Sequence, residues 1–202
     1  WYGGSFHPLR SEPKVSGNNA NSFQRIHAAQ LDLLHLNLEC NAPDDVLAWA
    51  NEIIASHAMH RVIITTHMNL GPIQRPTTSQ GYISDSKGRM EWKKCHSKRG
   101  NTAVQMWDKC FKRHKNLFLI CSGDQSRSQA MHLSAQGDQG NVVHSCLSDY
   151  GSDGSLRLYR FVPLENRVNV ITYNTGRDQL TQTTKQVPEE RDHQFSFAYS
   201  MQ

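Results

Sequence analysis

The chain has 202 residues, a formal net charge of +4, 37% hydrophobic and 20% charged residues, and a mean hydropathy of −0.63. These values exclude a disordered chain and a membrane-embedded one, since no stretch approaches the roughly 20 apolar residues a helix needs to cross a bilayer, and the length suits one domain with its own core. Its 22 Lys and Arg are interspersed with 18 Asp and Glu, which leaves one basic stretch, KGRMEWKKCHSKR at 87–99.

The first twenty residues, rich in Gly, Pro, Ser and Asn, show neither helical nor strand periodicity and predict an extended loop. They contain no basic segment followed by an apolar run, so no secretory signal is present in them. The compartment stays open, and an extracellular or periplasmic location is compatible with the composition. SFQRIHAAQLDLLHLNLE at 22–39 reads as two strands broken near Ala29. PDDVLAWANEIIASHA follows, with Pro43 and two aspartates in the first turn and apolar residues at Val46, Leu47, Ala50, Ile53 and Ile54. This predicts an amphipathic helix, with His57 and His60 at its carboxyl end, where a cation favours the dipole.

RVIITTH is a short β-branched run, hence a buried strand, ending in Thr66 and His67. Residues 70–101 lack periodicity over a length that compact domains tolerate mainly when the segment lines a site. Within them Lys93, Lys94 and His96 could reach over a site as a lid, with a solvated basic loop as the plainer alternative. The 87–99 cluster could also meet phosphates, with Trp92 stacking on a base, so a nucleic-acid contact is a weaker further reading.

Thr102 and Gln105 form a capping box ahead of AVQMWDKCFKRH, whose Val104, Trp107 and Phe111 share a face. NLFLICSG is a second buried strand. NVVHSCLSDYG, SLRLYRFVP and RVNVITYNT then continue as strands, the last two forming a hairpin about P-L-E-N. The tail at 176–202 is polar and loose until QFSFAYS, which could add an edge strand. Five cysteines without C-x-x-C spacing argue against a full disulfide framework, and Cys121 and Cys146 read as buried thiols.

Strands alternating with helices place ligands at the carboxyl ends of parallel strands. Two such ends deliver His67 and Asp124, an imidazole and a carboxylate that together could bind a divalent metal. The structural alternatives are a turn aspartate after glycine and a hydrogen-bonded surface histidine. Arg127 could steady a substrate phosphate or form a salt bridge. His144 alternates with apolar residues, and packing is its favoured reading over a place in the cleft. Asp149 and Tyr150 read as a strand-end turn.

LNLECNAPDDVLAWANEII, RVIITTHMNLGP, WDKCFKRHKNLFLICSGDQSR, GNVVHSCLSDYG and LRLYRFVPLENRVNVITYNT together resemble the carboxyl-terminal half of a calcineurin-like metallophosphoesterase, over residues 1–175. The resemblance implies an α/β (α+β) fold of two packed mixed β-sheets flanked by helices, incomplete at its amino end, with 176–202 as a tail. It implies one or two divalent metal ions such as Mn, Fe or Zn, a phosphate mono- or diester as substrate, and hydrolysis by a metal-activated hydroxide. TTH makes His67 the single histidine ligand of one metal. Asp124 stands where the first histidine of G-H-x-H is usual and Ser126 where the second is, and a hydroxyl is a poor substitute for an imidazole.

Arg127, Ser126, His144 and Asp149 would lie about the cleft. The motifs D-x-H, G-D-x-x-D and G-N-H-[DE] are absent: Asp32 and His35 have the wrong spacing, and G-D-Q-G-N at 137–141 has no partner aspartate. The expectation is therefore a piece of a longer protein whose amino-terminal half supplies the remaining ligands, feeble or inactive by itself. The contrasting expectation, of a different class, is a non-catalytic binding or structural module that kept the fold and lost the full metal site.

Overall fold

The computed structural model describes residues 2–6, as backbone, and residues 20–200. It is an α+β architecture of few helices and several sheets. The strand β1 (Tyr2–Phe6) pairs antiparallel with β2 (Ser22–Ala28), which corrects the expectation of an unbroken loop over the first twenty residues. The part of that loop at 7–19 lies outside the described residues. β2 turns into β3 (Leu31–Leu38) through Ala29 and Gln30, both at positive φ (49° and 65°). Two left-handed residues make a hairpin turn whose twist matches the strands, which explains the break in the alternation.

Helix α1 (Asp44–Ser56) buries Val46, Leu47, Trp49, Ala50 and Ile54, and carries Asp44 and Asp45 in its first turn, where they oppose the dipole. Then come β4 (Arg61–Thr66) and the insert with β5 (Leu70–Pro72), the single turn α2 (Gly81–Ser84) and β6 (Lys87–Arg89). The insert lacks periodicity because scattered residues hold it: Met68, Leu70 and Met90 are fully buried, Arg89 lies 4.0 Å over the Trp107 ring, and Trp92 Nε1 donates to the Pro72 carbonyl at 2.9 Å.

Helix α3 (Ala103–Lys109) starts with the Thr102–Gln105 capping box, both reciprocal bonds being present. Its buried residues are Ala103, Met106 and Trp107, with Cys110 and Phe111 beyond, so the expected face is rotated and Val104 is only half-buried.

β7 (Leu117–Ser122), β8 (Ala130–Gln136) and β9 (Val142–Ser148) complete a seven-stranded sheet in the order β1-β2-β3-β4-β7-β9-β8, in which β3, β4, β7 and β9 run parallel. β8 is not among the sequence-derived strands. β10 (Ser155–Val162) and β11 (Arg167–Asn174) form the expected hairpin, with Asn166 at positive φ (48°) closing it. β12 (Gln179–Leu180) and β13 (Phe195–Ala198) both pair with β11. The tail thus supplies its edge strand, and the segment before it is more ordered than expected, since Val187 and His193 are buried.

Side-chain alternation in β3 splits the core in two. Leu34, Leu36 and Leu38 join Val62, Ile64, Ile120 and the residues of α1 and α3 on one face of the large sheet. Leu31 and Leu33 join Phe118, Leu119, Cys146, Val168, Val170 and Phe197 on the other, against the smaller sheet. The layers are therefore helix, sheet, sheet, and the carboxyl ends of four parallel strands come out together at one rim.

Candidate functional site at the strand ends

The registers Leu38↔Thr66, Thr65↔Cys121 and Ser122↔Leu147 align the ends of β3, β4, β7 and β9. Lateral pairing continues one step past the strands, where Gly123 N donates to the His67 carbonyl at 3.0 Å. The chain then turns at Asp124, whose φ of 62° is a conformation Asp and Asn adopt more readily than most residues. The result brings the two sequence-derived candidates together: His67 Nε2 is 3.0 Å from Asp124 Oδ1.

A third group shares that oxygen. Lys94 Nζ lies 2.5 Å from Asp124 Oδ1, and the hydrogen bond raises the Lys94 pKa while partial burial opposes the rise. The insert delivers Lys94 by a side-chain anchor: Asn41, buried at φ 53°, accepts the backbone N–H of Lys94 at 2.8 Å and of Cys95 at 3.1 Å on its Oδ1. Next to it Glu39 takes His96 Nε2 at 2.7 Å on one oxygen and Asn21 Nδ2 at 2.7 Å on the other. Lys93 is spent on the Gly100 carbonyl at 2.8 Å. Of the residues expected to form a lid, Lys94 alone among these three reaches Asp124.

Beside this cluster a cleft of about 500 Å³ opens between the two sheets, lined by Thr65, His67, Ser122, Ser148, Arg157 and Tyr159 among others. Of the sequence-derived candidates, His67 alone lines it. Arg157 forms part of its wall but is held by structure: Nε donates to Thr172 Oγ1, Nη1 to the Leu147 carbonyl, and Nη2 to the Tyr150 hydroxyl and the Asp192 carbonyl, at 2.7–3.2 Å. Four of five guanidinium hydrogens are thereby used.

The remaining candidates stand elsewhere. Ser126 is exposed, on the loop facing Gly151. Arg127, also exposed, has its guanidinium 5.3 Å over the Tyr82 ring of α2. Asp149 accepts the Gly151 N–H at 3.3 Å, a turn contact. His144 lies four residues before the end of β9, about 13 Å along a strand, and stacks on Phe197 at 4.0 Å in the intersheet core. The structure therefore puts it outside the cleft, in the packing position that its alternation favours.

The donors present do not fit a two-metal centre. Among the described residues no group of three or more His, Cys, Asp or Glu is placed to hold one ion. His67 and Asp124 offer two donors, and Lys94 already neutralises the carboxylate. Cys40, close by, has its thiol pushed up to about 12 by burial, so it stays protonated and is a poor ligand.

Sequence reasoning gave Lys94 little weight and omitted Glu39 and Arg157. Glu39 could have been found as the residue that follows the third strand, and Arg157 as an inward position in an alternating strand. Comparison of the chain with protein-family models, with curated proteins and with solved structures finds no match.

Proposed function

We propose that this chain forms one wall of a phosphate-ester-binding site on a metallophosphoesterase-like sandwich, in which the Lys94 ammonium takes the electrostatic place of a metal ion. One observation carries this reading: Lys94 Nζ sits on Asp124 Oδ1 at 2.5 Å, at the strand end where the resemblance expects a metal ligand. An ammonium has three N–H donors and a single bond to Asp124 leaves two for an anion. His67, about half exposed, stands beside it on the cleft wall. Such a site binds and orients a phosphoryl group but supplies no activated hydroxide, so the chain is a binding module.

The test is calorimetric titration of the chain with inorganic phosphate at low ionic strength. Lys94→Ala is expected to weaken binding about tenfold, the size of one charge-assisted contact, and added salt to weaken the wild type. Equal affinity in wild type, Lys94→Ala and His67→Ala would overturn the proposal.

The 3.0 Å approach of His67 Nε2 to Asp124 Oδ1 favours a second reading, a metal-dependent phosphoesterase in which these two hold one divalent ion, with Lys94 swung away and further ligands from residues this sequence lacks. Titration with Mn²⁺ separates the two readings. Stoichiometric binding lost in both His67→Ala and Asp124→Asn supports the second, and indifference to Mn²⁺ with retained phosphate binding supports the first.

A further inference from the structure

A different pair of side chains at the same rim carries chemistry of its own. Cys40 opens the turn after β3, and Cys95 lies in the insert, 55 positions later. The Asn41 amide fastens the two segments together. Its Oδ1 accepts the Cys95 N–H at 3.1 Å and the Cys40 thiol at 3.4 Å, so sulfur and amide converge on one oxygen. The loop is closed from the other side at Gly100, where even a methyl group would stand 2.5 Å from the Cys95 carbonyl and 3.1 Å from that of Asn41. Asn101 N adds a bond to the Asn41 carbonyl at 3.1 Å. Cys95 is close enough to be among the groups that raise the Cys40 thiol, and both residues are half-buried, hence reachable by a small reagent.

From this geometry we propose that Cys40 and Cys95 are a disulfide-forming pair, which when oxidised fastens the insert carrying Lys94 across the strand ends. Because Asn41 Oδ1 holds the Cys40 sulfur and the Cys95 backbone on one atom, rotation of the two side chains brings the sulfurs toward each other, the step that closing the bond requires. With glutathione disulfide as oxidant, one thiolate attacks a glutathione sulfur and expels one glutathione thiolate. The second protein thiolate then attacks the mixed disulfide and expels the other. Two protein S–H bonds and one glutathione S–S bond are lost, one protein S–S bond and two glutathione thiols are made, and two electrons pass to glutathione.

Burial keeps the Cys40 thiol protonated, its pKa pushed up to about 12, so the exchange should quicken as pH rises. Cys121 and Cys146, opposite each other on β7 and β9, are the competing pair. Burial in the intersheet core pushes them to about 11 and about 12, which leaves little thiolate. The proposal is independent of the phosphate-binding reading.

The experiment is incubation of the native chain with glutathione disulfide, alkylation, tryptic digestion and mass spectrometry without reductant. Expected is a linked species joining the peptide at 26–61 to the tetrapeptide CHSK at 95–98, two hydrogens lighter than the separate peptides. Cys40→Ser should abolish it and leave glutathione on Cys95. Because that variant could misfold, the wild type is also melted before and after oxidation. A rise in thermal midpoint on the order of 10 °C is expected from closing so long a loop. Both cysteines remaining alkylatable, a linkage through Cys121 and Cys146 instead, or a fall in the midpoint would overturn the proposal.

Discussion

Two histidines on neighbouring parts of one sheet show what position does to the same side chain. His67, past the end of β4, is half exposed and faces a carboxylate and, through it, an ammonium. His144, inside β9, is buried, stacks on Phe197 and meets His132 Nε2 at 3.0 Å with its Nδ1. Desolvation, then the neighbouring His132, lowers its pKa to about 4. The rim of the sheet gathers charges that solvent still reaches; the intersheet layer keeps an equally titratable group neutral. Ligand chemistry therefore belongs to the rim, and the interior histidines contribute to stability instead.

The largest effect should come from the apolar side of that layer. Phe118 is 1% exposed, stacks on Tyr199 at 3.9 Å and meets Phe161 edge-on at 6.1 Å, so it joins the two sheets. Phe118→Ala is expected to cost about 3–5 kcal/mol in urea unfolding. A loss below about 1 kcal/mol would mean that the small sheet does not pack there.

Next in size is pH dependence. His144 has a folded pKa of about 4 against an ordinary 6.5, so between these values the unfolded chain binds the extra proton and stability rises with pH. The full contribution is present above pH 6.5 and is lost on descending to about pH 4, about 3 kcal/mol in all at about 1.4 kcal/mol per unit. His132, His35 and His114 are lowered by desolvation too and act in the same direction. Asp44, lowered chiefly by its hydrogen bond with Lys109, acts only in a lower window, below the ordinary carboxylate value. Urea midpoints that stay level from pH 7 to pH 4.5 would contradict a buried neutral His144.

Much of this contrast was legible in the sequence where the signal is local. The alternation that breaks at Ala29, the Asp44–Asp45 start of α1 and the Thr102–Gln105 box each need only neighbouring residues, and each matches the structure. His67 and Asp124 also stand together, because each lies within two residues of the end of a parallel strand. What was not legible depends on partners far along the chain. β1 and β8 are the two edges of the large sheet, and β8, mostly half-buried or exposed along its length, carries a weak pattern. The position of Lys94 is set by Asn41, 53 residues earlier, through a side-chain oxygen that no periodicity announces. The packing of His144 is decided by Phe197, which arrives with the last strand.

The smallest effect is the most specific test of the rim. Asp124 combines a charge shared by His67 and Lys94 with a left-handed backbone, and two substitutions separate these roles. Asp124→Asn keeps a residue at ease with φ 62° and removes the charge. The Lys94 side chain is more than half exposed, so solvent screens the pair and the loss should stay within about 1 kcal/mol. Asp124→Ala removes the same charge and also places a residue less tolerant of that backbone, for roughly 1 kcal/mol more. Equal unfolding midpoints in the two variants would show that the turn is not held left-handed in solution. A loss of several kcal/mol in Asp124→Asn would show that the rim charges hold the fold together as the intersheet core does, and the division between rim and interior would fail.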